Sequence, residues 1–260
     1  MVPISHLSRA KLVGVVTALA VLGFLLGGYL LRVIEQYRLR AEFENFREVA
    51  WAHFKKRCAE SAGERIIQTV DGVQSIFLER PRQRPREAQL RDQYWMGDPY
   101  GLVLYPPVEI SRYLSYVDED GYSRTKRTSR PGFDYVVVPQ ENGKFLRYRL
   151  DETRNGFITT QLDSQPSRYS VTWQDISTRE DRKYWVAGGR LQVFDRQSNK
   201  LLGERIGYVF ERGFGATGGG RTPWLIARRN ACPPIQRNVA MDRLFVDKIL
   251  RRGNRGQNAE

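Results

Sequence analysis

The sequence predicts an α+β protein. An N-terminal transmembrane helix continues into an amphipathic stalk, followed by a mainly antiparallel β-rich domain and a short C-terminal helix. Three observations predict it. Residues 12–31, LVGVVTALAVLGFLLGGYLL, are twenty residues without a charge, the length an α-helix needs to cross a hydrocarbon core of roughly 30 Å. No proline or glycine interrupts the chain between Gly28 and Gly63. From residue 64 onward short apolar runs alternate with turn signals, without the intervening helices of a βαβ fold.

Residues 1–11 form a short tail carrying Arg9 and Lys11. Ala18-Leu19-Ala20 has the small-x-small form that a signal peptidase reads. Cleavage there would leave a short apolar core, and the run continues for eleven residues beyond it, so an uncleaved signal-anchor is the reading. Gly23 and Gly27 make a GxxxG pattern, the spacing that lets two membrane helices approach closely. They are the candidate face for a homodimer.

The stalk occupies 32–62. Leu39, Phe43, Phe46, Ala50 and Phe54 recur every three or four residues as one apolar stripe, with Arg40, Glu44, Arg47 and Glu48 on other faces. The stripe is expected to pack against the domain, which spans 63–252. Within it, 65–78 reads as a hairpin turning at Asp71-Gly72. Residues 80–91, RPRQRPREAQLR, read as a loop or linker. Arg80, Arg82, Arg84 and Arg86 on it are candidate contacts for an anion or a partner.

Strands are expected over 112–117, 133–138, 145–150 and 169–173. A hairpin is expected over 190–210, turning at Arg196-Gln197-Ser198-Asn199-Lys200. Ser177 or Thr178 with Glu180 or Asp181 reads as a helix cap. Met241, Leu244, Phe245, Ile249 and Leu250 mark a helix within 239–252, and the tail 253–260 is expected to be disordered.

All 29 acids and all but two of the 42 bases follow residue 31, so that part carries a net +11 against +13 for the whole chain. Such a field attracts anionic surfaces. The flanking Lys and Arg, counted alone, would leave the domain in the cytoplasm, although long domains are translocated largely regardless of charge. Cys58 and Cys232 tip the reading outward. They lack CxxC spacing, and an isolated pair in an exported domain is most simply one disulfide. Closing so long a loop stabilises by about 4–5 kcal/mol on the chain-entropy model.

Catalytic signals are weak. Gly213–Gly218 spells GFGATG, but no long helix follows to face a dinucleotide pyrophosphate, so it reads as a glycine loop and contact surface. His6 and His53 are the only histidines, which leaves Ser-His-Asp, Cys-His and two-His metal chemistry without a partner in the domain. No metal or cofactor is expected. Paired carboxylates remain as an acid/base option, with Asp118, Glu119, Asp120, Glu180 and Asp181 as candidates. Trp224, Arg228 and Arg229 are candidate interface residues.

The plan of membrane helix, stalk, β-domain and late disulfide is similar to that of pilin-like subunits, but the peptidase-site signature before the apolar run is absent. The expected function is a single-pass bacterial inner-membrane protein, with a basic periplasmic domain acting as a non-enzymatic assembly or interaction subunit of an envelope complex. Expected partners are membrane lipid, other envelope proteins, a second copy of the chain and anionic envelope polymer. A membrane-anchored envelope hydrolase is the first alternative. A cytoplasm-facing binder of anionic lipid or nucleic acid is the second, placed last because no nucleic-acid-binding motif is present.

Overall fold

The computed structural model describes residues 9–101, 108–115, 132–151, 156–236 and 241–252. Asp118, Glu119, Asp120 and the tail 253–260 lie outside the described residues. Helix α1 runs unbroken over Arg9–Ser61. Its apolar part reaches a mean hydropathy of 2.1 and is not buried, so this helix is long and apolar enough to cross a membrane. Beyond the apolar run, Arg38–Glu42, Glu44–Arg47 and Lys56–Glu60 pair at helical spacing and support the exposed face. The chain divides into two units, 1–49 and 50–260. The predicted stripe divides with it. Ala50 and Phe54 are buried in the second unit, whereas Leu39 and Phe43 are exposed.

The second unit is built on one mixed, mostly antiparallel sheet. Its strands are β1 (Gly63–Ile66), β2 (Ser75–Leu78), β3 (Tyr135–Pro139), β4 (Phe145–Asp151), β5 (Gly156–Leu162), β6 (Tyr169–Asp175), β7 (Val186–Asp195), β8 (Lys200–Phe210) and β9 (Ala231–Cys232). The spatial order is β1-β8-β7-β6-β2-β3-β4-β5, and β9 also pairs with β8. Among the described strands β2 makes the parallel pairs, with β3 and β6. The helices are α2 (Glu87–Arg91), α3 (Val108–Leu114), α4 (Arg179–Lys183), α5 (Pro223–Ala227) and α6 (Met241–Ile249).

The longest pair, β7–β8, is the hairpin expected from the sequence. Its turn is organised by Asp195, which accepts from Arg168 Nε and Nη2, Gln197 N–H and Ser198 Oγ. The Arg168 guanidinium and these donors hold the Asp195 carboxyl well below its ordinary range. Thr178 caps α4, taking the N–H of Asp181 while Asp181 accepts from the Thr178 N–H.

Two expectations are corrected. Residues 65–78 do not form a hairpin. β1 joins β8 at the outside, while β2 enters the middle of the sheet beside β3 and β6. Gly72 does turn the chain (φ 76°), but burial of Ile76, Phe77 and Leu78 decides where β2 goes. The expected strand over 112–117 is not seen at its start, and 116–117 lie outside the described residues. Arg112–Leu114 belong to α3, whose Ile110, Tyr113 and Leu114 fall at helical spacing and face the core.

One sheet face is covered by α3 and α6, with Ile76, Leu78, Val136, Val138, Leu191 and Val193 meeting Ile110, Tyr113, Phe245 and Ile249. The same face continues toward α2 and α5, where Ala187 and Val209 pack with Leu90, Trp185 and Trp224. The opposite face of β7–β8 receives the end of α1.

Candidate functional site

Three local structures use the residues singled out in the sequence. The first fixes the end of α1 to the sheet. Phe54 stacks on Phe210 at 5.5 Å, and Trp51 meets the same ring at 5.7 Å. Arg57 lies over the Tyr208 ring at 5.0 Å, and Ser61 Oγ is 3.3 Å from the Tyr208 hydroxyl. His53 Nε2 lies 2.7 Å from Asp181 Oδ1, and Arg57 Nε lies 3.1 Å from the same oxygen. Cys58 is bonded to Cys232 on β9, with Cα atoms 5.8 Å apart. One helical face, at residues 50, 54, 57, 58 and 61, therefore carries apolar, ionic and covalent attachments together.

The second is a buried ion cluster that no sequence pattern marks. Arg82 Nε and Nη2 donate to Asp98 Oδ2 at 3.1 Å, and Nη1 donates to Glu109 Oε1 at 2.9 Å. Arg82 Nη1 also lies 3.0 Å from Asp242 Oδ2, and the Arg82 main-chain N–H donates to Glu109 Oε2. Asp242 accepts from Arg205 Nη1 at 2.9 Å, and Arg205 Nη2 donates to the Tyr100 hydroxyl at 2.7 Å. Gly189 and Gly207 leave the room in which Asp98 and Tyr100 lie against the sheet, since a Cβ at either would collide with them.

Burial alone would lower the Arg82 guanidinium pKa, but Asp242, Asp98 and Glu109 outweigh it and hold the pKa above its ordinary value. Burial pushes Asp98 upward against the pull of Arg82, and raises Glu109 to about 7. Arg112 and Arg228 lie close enough to feel Asp242, and burial lowers both.

Glu109 makes the stability of the domain depend on pH. Its folded carboxyl holds a proton up to about 7, whereas the ordinary value is 4.5. Its burial is therefore harmless below the unfolded value, and the contribution falls as pH rises from there through about 7. Relative to the native protein, E109Q should gain on the order of 2–3 kcal/mol between pH 4.5 and 7.5. Thermal unfolding of both proteins across that range reads the difference, and parallel curves would exclude Glu109 as its source.

The third structure is a groove of 450 Å³ beside this cluster. Arg80, Pro81, Arg82, Gln83, Arg84, Pro85 and Arg86 form one wall, and Gln89, Trp95, Met96, Gly97, Gly101 and Trp173 complete it with Asp98. The expected loop is present over 80–86 and forms one wall of the groove. Its middle is pinned by Arg82, and its end turns into α2 with Leu90 buried. Arg80 and Arg82 lie over the Trp173 ring at 6.0 and 5.5 Å. Arg80, Arg84 and Arg86 are exposed, and so is Met96.

Two residues read as outward contacts face inward. Arg82 is 5% exposed and committed to the cluster. Trp224 is fully buried, donates its indole N–H to the Asp92 carbonyl and lies under Arg182 at 4.8 Å. Arg228 is half-buried and Arg229 exposed on the turn after α5. Gly23 and Gly27 lie in open surroundings, where a Cβ would meet nothing within 4 Å.

The GFGATG loop is organised from within. Buried Glu211 accepts from the N–H groups of Gly213 and Gly215 at 3.0 and 2.8 Å and pairs with Arg221. Amides that a phosphate would need are occupied by a carboxylate.

Among the acid/base candidates, Asp181 is buried and held by His53, Arg57 and the Thr178 cap, while Glu180 lies exposed on α4. Among the described residues, no group of three or more His, Cys, Asp or Glu side chains could hold a metal ion. No family model, curated protein or solved structure matches the chain.

Proposed function

We propose that this is a single-pass bacterial inner-membrane protein. Its basic β-rich domain lies in the periplasm and works as a non-enzymatic assembly or interaction subunit of an envelope complex. The observation that carries this reading is the end of α1. The helix that contains the membrane-span candidate continues without a break into the domain, where a disulfide and the Phe54–Phe210 stack fix it. A disulfide persists in an oxidising compartment, which supports export. A helix end held by covalent and apolar contacts suits a domain that meets its partners at the membrane.

The hydrolase reading is less favoured because Asp181 is already committed to holding α1. Gly23 and Gly27, open on α1, support a homodimer through the membrane helix as part of this assembly role.

Topology is tested in cells. After acid quenching, Cys58 and Cys232 should accept a thiol mass tag only once reduced, and added protease should digest the domain in spheroplasts but not in intact cells. Two freely reactive thiols with a protected domain would reverse the orientation. The basic domain would then be sought on cytoplasmic anionic partners.

A further inference from the structure

The groove beside the arginine arm has the chemistry of a recognition site. We propose that it binds an acidic peptide segment of a partner protein in extended form. Carboxylates would meet Arg80 and Arg86, with an apolar side chain set between Trp95 and Met96. This rests on the reading of the domain as an interaction subunit and names what that subunit takes.

The arm is preorganised. Arg80 and Arg84 each precede a proline, which holds them extended. The Arg82 N–H is fixed on Glu109 at 3.0 Å, and the Arg86 N–H on Gln89 Oε1 at 2.8 Å. Exposed guanidiniums are thus presented from a backbone that is already ordered, which reduces the entropy lost on binding. A volume of 450 Å³ is within the roughly 300–1,000 Å³ of ligand-sized cavities.

The lining selects an acceptor-rich ligand. Asp98 is the only carboxylate among the described residues that line it. It is buried, and its oxygens take the Arg82 guanidinium and the Gly101 N–H. A stacked sugar would require an open aromatic face. Trp173 is instead engaged by Arg80 and Arg82, which disfavours stacked sugars and stacked bases alike. Met96, at 67% exposure, supplies the adaptable apolar contact that peptide-binding surfaces use.

The test uses the full-length protein in detergent micelles and fluorescence anisotropy of a short fluorescein-labelled peptide alternating glutamate and leucine. Competitors are a peptide with lysine in place of glutamate, plain oligoglutamate and a sulfated oligosaccharide. The alternating peptide should bind saturably, R80E/R86E should weaken it about tenfold or more, and M96S should weaken it severalfold. Arg80, Arg86 and Met96 are exposed, so the unfolding temperatures of both variants should match the native protein.

Unchanged binding by R80E/R86E would overturn the proposal, as would equal affinity for oligoglutamate. Stronger binding of the sulfated oligosaccharide at the same arginines would replace the peptide by an anionic polymer. None of these outcomes alters the thiol and protease results that test membrane topology, so the two readings fail separately.

Discussion

Serine at both Cys58 and Cys232 should lower the stability of the domain by ~5 kcal/mol. The bond spans 174 residues, so in the unfolded chain it removes the freedom of nearly the whole domain. In the folded state it adds little that packing does not already supply, since Ala50 and Phe54 are buried beside it. The expected loss equals the entire net stability of many domains, about 5–15 kcal/mol. Denaturant unfolding of the full-length protein in detergent measures it. The native protein under reductant should unfold at the same denaturant concentration as C58S/C232S. A loss below about 1 kcal/mol would mean that the unfolded chain already keeps α1 against β8, so that the bond constrains nothing further.

Arg82→Met should be nearly as damaging at neutral pH. Methionine approximates the stem of the arginine but leaves Asp98, Glu109 and Asp242 facing one another, with Arg205 as the remaining direct partner of Asp242. Breaking a buried ionic group by removing one side costs about 3–5 kcal/mol, mostly for the charge left behind. The loss should shrink in acid, because burial already biases Asp98 and Glu109 toward the protonated form. R82M/E109Q should recover part of it at neutral pH, as expected for residues in one network. Equal stability of R82M and the native protein at pH 7.5 would show that water or another cation replaces the guanidinium.

Much of the architecture was legible because it is written locally. Twenty uncharged residues specify a membrane-length helix, the polar turn at 196–200 specifies β7–β8, and Ser177 or Thr178 with Glu180 or Asp181 marks a cap, of which the fold uses Thr178 and Asp181. What stayed hidden depends on distant choices. β2 has a plausible local turn at Gly72 yet takes its partners from residues 135–137 and 169–171. α3 carries Ile110 and Tyr113, which suit strands as well as helices. Arg82 is one of five arginines in a twelve-residue run, and only the fold brings Asp98, Glu109 and Asp242 to that one. Trp173 falls at the end of the strand expected over 169–173, and the groove becomes visible only when the arm lies across it.

The attachment of α1 also sets how the protein bears mechanical load. Tension arriving along α1 reaches Ser61 and β1 through the main chain, and β9 through the Cys58–Cys232 bond. Both strands are hydrogen-bonded to β8, β1 along residues 203–206 and β9 at 208–209. A pull on the anchor therefore cannot strip β1 from the sheet edge alone, because it must shear two strands from β8 together. β1 and β9 would leave β8 together rather than one after the other.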